Sequence, residues 1–341
     1  MTVTETRPQA PAAPELTHRE ILEILVGLLA ALFTAMLSST IVSNALPTII
    51  ADLEGSQTQY TWVLTASLLA TTVSTPIWGK LSDLMSKKLL VQLAITLFVI
   101  GSALAGMAHS VPFLIGARVL QGLAMGGLMA LAQAIIGSAI PPRDRGKYSG
   151  YMGAVMAVAT VSGPLIGGVI VDTSWLGWRW CFYVGVPFAV AALVVLQRTL
   201  HLPVVRRELK VDYLGATLIT GGVSLLLVWV SLAGPQFALG SGTTVQLAVV
   251  GAVAHALAGV VEARVAEPII PIRLFRLPTV SLATAAGLFL GVAIFGATIF
   301  LAQYFQIARG ESPTASGLRT MPMILGLAVA SLVTGRLVSG T

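Results

Sequence analysis

The chain carries little with which to do covalent or redox chemistry. A single cysteine, Cys181, occurs in 341 residues, which excludes an intramolecular disulfide framework and a thiolate metal cluster. There is no HExxH pair, no GxxxxGK[ST] loop to cradle nucleotide phosphates, and no pair of carboxylates inside one apolar run. Charged side chains are scarce too, at 10% of the chain, against about 25% in a soluble domain. No enzyme constellation, metal site, cofactor or bound ATP is expected, so any energy for work would come from an ion gradient or a separate subunit.

What is abundant is apolar surface. Hydrophobic residues make up 56% of the chain and mean hydropathy is +0.88, a balance that places most of it in a lipid bilayer. Runs of roughly 20 apolar residues mark membrane spans. Ten candidates lie near 21–45, 60–80, 89–108, 112–138, 148–171, 178–198, 212–233, 244–262, 280–305 and 320–339. Residues 1–19 are polar, rich in Pro and Ala and without a cleavage-site pattern. They read as a disordered cytoplasmic tail, and the first span as a retained helix.

Orientation follows from the basic residues. A net charge of +6 could signal nucleic acid, but here Lys and Arg fall in short loops between spans, which is a topology signal. No nucleic-acid partner is expected. With the N-terminus in the cytoplasm, the inside segments hold Lys80, Lys87, Lys88, Arg198, Arg206, Arg207, Lys210 and others, 16 of the 20 basic residues. The outside segments hold Arg179, Arg309 and Arg319, and Arg118 lies within a span. Both ends are therefore expected inside.

Within the fifth span, Gly153–Gly168 read GAVMAVATVSGPLIGG. At helical spacing Ala159, Gly163 and Gly167 fall on one face, where another helix can approach the backbone closely. Pro164 removes a backbone donor and weakens the helix locally, which is tolerable where protein packs around it. By itself a small-residue face signals only a tightly packed membrane helix. The whole string resembles the fifth-span antiporter motif of the major facilitator superfamily.

Other strings carry the same resemblance. Leu37–Pro47 (LSSTIVSNALP) is similar to LDxTIVNxALP, Gly79–Lys88 (GKLSDLMSKK) to GxLaDxxGrk, and Arg118–Gly127 (RVLQGLAMGG) to RxxQGxgaa. Trp178-Arg179-Trp180, Glu267–Arg276 (EPIIPIRLFR) and Gln306–Leu318 (QIARGESPTASGL) match as well. The chain thus resembles the fourteen-span drug:proton antiporter branch of that superfamily. An offset of 256 residues separates Gly79-Lys80-Leu81 from Gly335-Arg336-Leu337. Facilitator halves are parallel repeats of six spans, or roughly 190–200 residues, so the surplus fits two inserted spans, the seventh and eighth.

The resemblance implies an all-α integral membrane protein with the major facilitator fold. Its expected units are a tail at 1–19, an N-terminal six-helix bundle at 20–200, two inserted spans at 201–265 and a partial C-terminal bundle at 266–341. It implies a secondary transporter in the inner membrane of a bacterium, exporting drugs or other amphipathic molecules in exchange for protons. The sequence reaches Thr341 just after the tenth span, which reads as a chain truncated by four spans. A non-transporting fragment or scaffold, or a facilitator for a lipid or metabolite, is the alternative.

Several residues stand out as gating or coupling candidates. Asp83, in a loop with Lys87 and Lys88, can bridge helix ends in one facing and release in the other; the other reading is a solvated loop charge. Ser86 stands where the motif has glycine, and Lys87 and Lys88 where it has basic residues of the arginine type. Arg118 is a charge inside a span, a functional candidate by default unless it merely snorkels outward. Gln121 lies one turn on, and Asp52, Glu54 and Asp172 are the acidic residues nearest in topology. Ser38 replaces the family's first-span aspartate, which disfavours a cationic drug. Ser38, Thr40, Asn44 and Thr72 are candidate cavity residues, although such hydroxyls often bond their own helix carbonyls. His255 reads as a packed neutral histidine. The small-residue face of the fifth span is expected to meet the tenth span near Gly326 and Ala330.

Overall fold

The computed structural model describes residues 18–140, 145–200, 213–232, 238, 240–265, 268 and 272–339. The tail, the loop holding Arg206, Arg207 and Lys210, and the expected unit boundaries near 201 and 266 lie outside the described residues. The architecture is all-helical, with no strand among the described residues. The helices are α1 (His18–Asp52), α2 (Gln57–Leu84), α3 (Lys87–Gly106), α4 (Val111–Ala139), α5 (Arg145–Asp172), α6 (Trp180–Tyr183), α7 (Gly185–Thr199), α8 (Tyr213–Leu232), α9 (Gly242–Arg264), α10 (Pro278–Gln303) and α11 (Pro313–Ser339). A 3-10 turn (Ile272–Arg276) precedes α10, and a π turn (Tyr304–Ala308) follows it.

These helices coincide with the ten expected spans, with one split. The sixth span consists of the single turn α6 and then α7, because Pro187 offers no N–H to the Tyr183 carbonyl. Elsewhere local chemistry sets the ends. Ser56 and Gln59 form a reciprocal capping box at the start of α2, with bonds of 2.9 and 3.2 Å. Ser241 caps α9 by accepting from the Thr244 N–H at 3.3 Å.

Among the described residues, six helices are long and apolar enough to cross a bilayer: Ile21–Asp52, Lys87–Gly106, Val111–Ser138, Tyr151–Asp172, Trp180–Thr199 and Gly242–Arg264. The apolar parts of α8 and α10 are shorter, at Leu214–Val230 and Pro278–Ile294. The long helix α2 misses the same mark because it is rich in Ser and Thr. Some of its hydroxyls bond within the helix: Thr71 Oγ1 donates to the Ser67 carbonyl at 2.9 Å and Thr75 Oγ1 to the Thr71 carbonyl at 2.7 Å.

Packing places α2 and α3 on α4, α5 and α7 on α1, and α3 on α7. Helices α8 and α9 form a pair that touches the bundle mainly through α8 on α2. Two large apolar clusters fill most of the bundle, and a small third one joins Ile21 and Leu25 to Ile136 and Ile140. One large cluster unites Leu28, Leu32, Leu90, Ile95, Leu128, Leu131 and Leu196; the other unites Ile41, Leu46, Ile49, Val63, Leu114, Cys181 and Phe182. Exposed apolar residues such as Leu282, Phe289 and Val292 on α10 are what lipid-facing helices require.

Candidate functional site

Of the four glycines in the fifth-span string, two, Gly163 and Gly167, seat α1. A Cβ at Gly163 would collide with Oγ1 of Thr40, and one at Gly167 would lie 2.8 Å from the Ile41 carbonyl oxygen. Thr40 Oγ1 donates to the Ala159 carbonyl at 3.2 Å. So Ala159, Gly163 and Gly167 do share a contact face, but it is turned to α1 and not to α11. Gly153 lies outside the contact, with nothing near its missing Cβ.

The seam with α11 is nevertheless present, displaced along both helices. A Cβ at Gly168 would lie 2.5 Å from Thr314 Cα, and one at Gly317 would lie 2.5 Å from the Pro164 carbonyl oxygen. The two backbones thus touch reciprocally at the very start of α11. Gly326 has nothing within 4 Å of its missing Cβ, and Ala330 is exposed, so the expected residue pairing is corrected while the helix pairing holds. The register follows from helix ends. Asp172 closes α5 and accepts from the Thr314 N–H at 3.0 Å, fixing the start of α11 beside the end of α5.

Asn44 ties three elements together. Its Nδ2 donates to the Pro164 carbonyl at 3.0 Å and to the Pro313 carbonyl at 3.2 Å, while Gln306 Nε2 donates to the Asn44 carbonyl at 2.8 Å. Asn44 is therefore a buried junction and not an open cavity residue. Thr40 is likewise consumed by packing. Thr72 donates to its own Leu68 carbonyl at 2.9 Å and lines an apolar cleft of about 410 Å³ between α2 and α8, with Pro76, Ile219 and Val223. Ser38 is buried, and its Oγ has no hydrogen-bond partner among the described residues.

The fourth-span string divides its labour. Its glycines admit α2: a Cβ at Gly126 would meet the Thr71 carbonyl at 2.5 Å, and one at Gly127 would meet the Trp78 ring at 2.7 Å. Thr71, Ser74 and Trp78 then donate to the α4 carbonyls of Gly122 and Leu123 at 3.0–3.2 Å. Its polar residues face α3 instead. Arg118 Nη1 donates to Gln121 Oε1 at 2.9 Å, and Gln121 Nε2 donates to Ser102 Oγ at 2.9 Å. Arg118 is only 4% exposed and its Nε is unpartnered, so it does not snorkel.

Ser102 was not expected from sequence, although a Gly-Ser pair in an apolar run is the available signal. Gly101 lets α4 in beside it, since a Cβ there would lie 3.0 Å from the Gln121 nitrogen. None of the acidic candidates pairs with Arg118. Asp52 accepts from Trp178 Nε1 at 2.7 Å and lies 3.7 Å from Arg179. Arg179 also stacks 4.3 Å over the Trp178 ring and donates to the Ala108 carbonyl, so the Trp-Arg-Trp string closes the ends of α1 and α3. Asp172 serves Thr314, as above, and Glu54 sits in a turn at φ 51°.

At the opposite end, Asp83 is not in a loop but in the last turn of α2, exposed and without an ion pair among the described residues. Lys87 opens α3, and Lys88 Nζ donates to the Gln197 carbonyl at 2.6 Å. His255 packs against Gly222 of α8, its Nδ1 3.2 Å from the Gly251 carbonyl. No group of three metal-ligating residues occurs among the described residues.

A multi-pass helical bundle whose motif strings seat helices against one another and bury one arginine defines an all-helical integral membrane protein. Residues 28–341 match the Major Facilitator Superfamily, and the chain belongs to that superfamily. It is 39% identical over 320 residues to an uncharacterized MFS-type transporter of Mycobacterium tuberculosis, covering 93% of this chain and 46% of that protein. It is 38% identical over 323 residues to the efflux pump dotC of Dothistroma septosporum, covering 93% and 55%. It is 36% identical over 321 residues to the multidrug transporter protein MdtP of Bacillus subtilis, covering 92% and 58%. The chain spans about half the length of these curated relatives. In fold it is similar to the human organic anion transporter MFSD10, with a TM-score of 0.51 at 15% identity over 67% of this chain and 60% of that one.

Proposed function

We propose that this chain forms the first ten spans of a fourteen-span exporter that moves amphipathic small molecules out of a bacterial cell in exchange for protons. The units are the tail at 1–19, the bundle at 20–200, the inserted pair at 201–265 and the start of the second bundle at 266–341, with the N-terminus cytoplasmic. The observation that carries this reading is the Asn44 junction, where one side chain holds α1, α5 and the start of α11 together. Bundles that rock against each other in alternating access meet along a contact, and this junction together with the backbone approaches at Gly168 and Gly317 supplies one. The efflux names of the relatives support export.

The test is efflux of a panel of neutral, anionic and cationic amphipathic compounds, ethidium among them, from cells expressing this chain and from cells expressing a version extended by four spans. Export by the extended version and none by the shorter one supports the reading; no export by either, for any compound of the panel, overturns it.

In this reading Asp83 gates the cycle. It is exposed at an α2 end beside Lys87, free to form an ion pair in one facing and release it in the other. Asp83→Asn in the extended version is expected to insert and express normally and to lower efflux severalfold. Unchanged efflux would leave Asp83 a solvated charge.

A further inference from the structure

The pair α8–α9 rests on the bundle mainly along one seam, α8 against α2, and that seam is not closed. A cleft of about 410 Å³ runs along it, walled by Thr72, Val73, Thr75 and Pro76 of α2 and by Ile219 and Val223 of α8. That volume falls within the roughly 300–1,000 Å³ of small-ligand clefts.

The lining is almost wholly apolar. Two of its threonines spend their hydroxyls on their own helix, Thr72 Oγ1 on the Leu68 carbonyl at 2.9 Å and Thr75 Oγ1 on the Thr71 carbonyl at 2.7 Å. Such a lining does not hold water, which needs two to four polar partners. Left empty, the walls lose dispersion contacts on one side. Inside a bilayer those contacts and hydrogen bonds hold helices together, with no hydrophobic drive to replace them. The filler at hand at that depth is hydrocarbon.

The α2 wall also leads to a positive charge. Thr72, Pro76 and Lys80 recur every four residues and so follow one stripe of the helix. Lys80 lies about 6 Å along the axis beyond Pro76, at the end of the second span. Successive spans alternate in direction, so α8 starts at the membrane face where α2 ends. In sequence, Arg206, Arg207 and Lys210 come just ahead of α8. An apolar slot that runs up to basic residues at the membrane surface matches, in order, the acyl chain and the phosphate of an anionic lipid.

We propose that the α2–α8 cleft binds one acyl chain of an anionic phospholipid whose headgroup phosphate pairs with Lys80. The bound lipid completes the seam and fastens α8 and α9 to the bundle. The proposal uses the membrane setting and not the transport reading.

The test titrates the purified chain in detergent with dioleoyl phosphatidylglycerol and, separately, with dioleoyl phosphatidylcholine, which has the same chains and no net charge. Bound lipid is counted by native mass spectrometry, and stability is followed by thermal unfolding. One phosphatidylglycerol should be held about fivefold or more tightly than phosphatidylcholine, the worth of about one basic residue at a headgroup, and should raise the unfolding midpoint. Lys80→Gln should erase that preference. Val223→Trp and Val73→Phe each fill the cleft from one wall, growing into open space. A folded variant of either kind should lose the retained lipid and unfold no lower than the lipid-free parent. Equal retention of the two lipids, or undiminished phosphatidylglycerol in a folded cleft-filled variant, overturns the proposal. Should neither filled variant fold, Lys80→Gln decides, and a preference it leaves unchanged overturns the proposal as well.

Discussion

Gly163→Leu is expected to destabilise the bundle itself, before any question of transport arises. The new side chain would point at Thr40 and at the Ile41 nitrogen 3.2 Å from its Cβ. Thr40 is β-branched and stiff, and its hydroxyl already bonds across to the Ala159 carbonyl. Neither it nor the α1 backbone can step aside without lifting α1 from α5. Overpacking costs typically about 1–3 kcal/mol, and more where the obstacle is backbone. We expect a fall of about 5 °C or more in the unfolding midpoint in detergent, with a broadened elution profile. Gly153→Leu, on the same string with open space around it, should change neither. Equal behaviour of the two variants would mean that the α1–α5 contact is not as close as described.

That contrast shows how far the residues could be read unaided. The string Gly153–Gly168 announces a close helix contact, and periodicity correctly groups Ala159, Gly163 and Gly167 on one face. Periodicity cannot say which helix the face meets, because that depends on how α1 and α11 divide the circumference of α5. Nor can it set axial register. Gly326 lies twelve residues beyond Thr314, about 18 Å along the helix, and only the Asp172–Thr314 bond reveals that the contact belongs at the start of α11.

The polar residues were legible by type and not by role. Arg118 and Gln121 stand out because charge and amide are rare inside a span, and the structure brings them into contact. Their third partner, Ser102, carries a weak signal, since serine in a membrane helix most often bonds its own carbonyls, as Thr34 and Thr72 do here. Asn44 looked like a cavity residue because short polar side chains in a span invite that reading. Its real task depends on two prolines from other helices, Pro164 and Pro313, whose carbonyls it bridges. Pro164 removes the donor that the Thr160 carbonyl would have used, so the α5 hydrogen-bond ladder is already interrupted beside the junction.

The seam between α5 and α11 gives the prediction that tests whether these two helices belong to parts that move against each other. At Gly168 the three nearest atoms to an added Cβ are backbone atoms of Pro313 and Thr314, 2.5–2.7 Å away. At Gly317 they are the backbone of Pro164 and Leu165, 2.5–3.1 Å away. No rotamer change relieves either clash, so the helices must part. Without a hydrophobic drive inside the bilayer, helix pairs hold by close packing and hydrogen bonds, and a wedge of one side chain removes both. Gly168→Leu and Gly317→Leu should therefore leave α1 to α7 assembled, with the unfolding midpoint changed less than in Gly163→Leu. Both should abolish export by the extended version of whichever panel compound it moves, or leave that export uncoupled from the proton gradient. A double variant should be little worse than either single one, because each already opens the same contact. Gly326→Leu, on the same helix but facing open space, should export normally. Full export by Gly168→Leu and Gly317→Leu would show that the seam is not the pivot of the cycle and would remove the structural basis for placing α10 and α11 in a second, moving bundle.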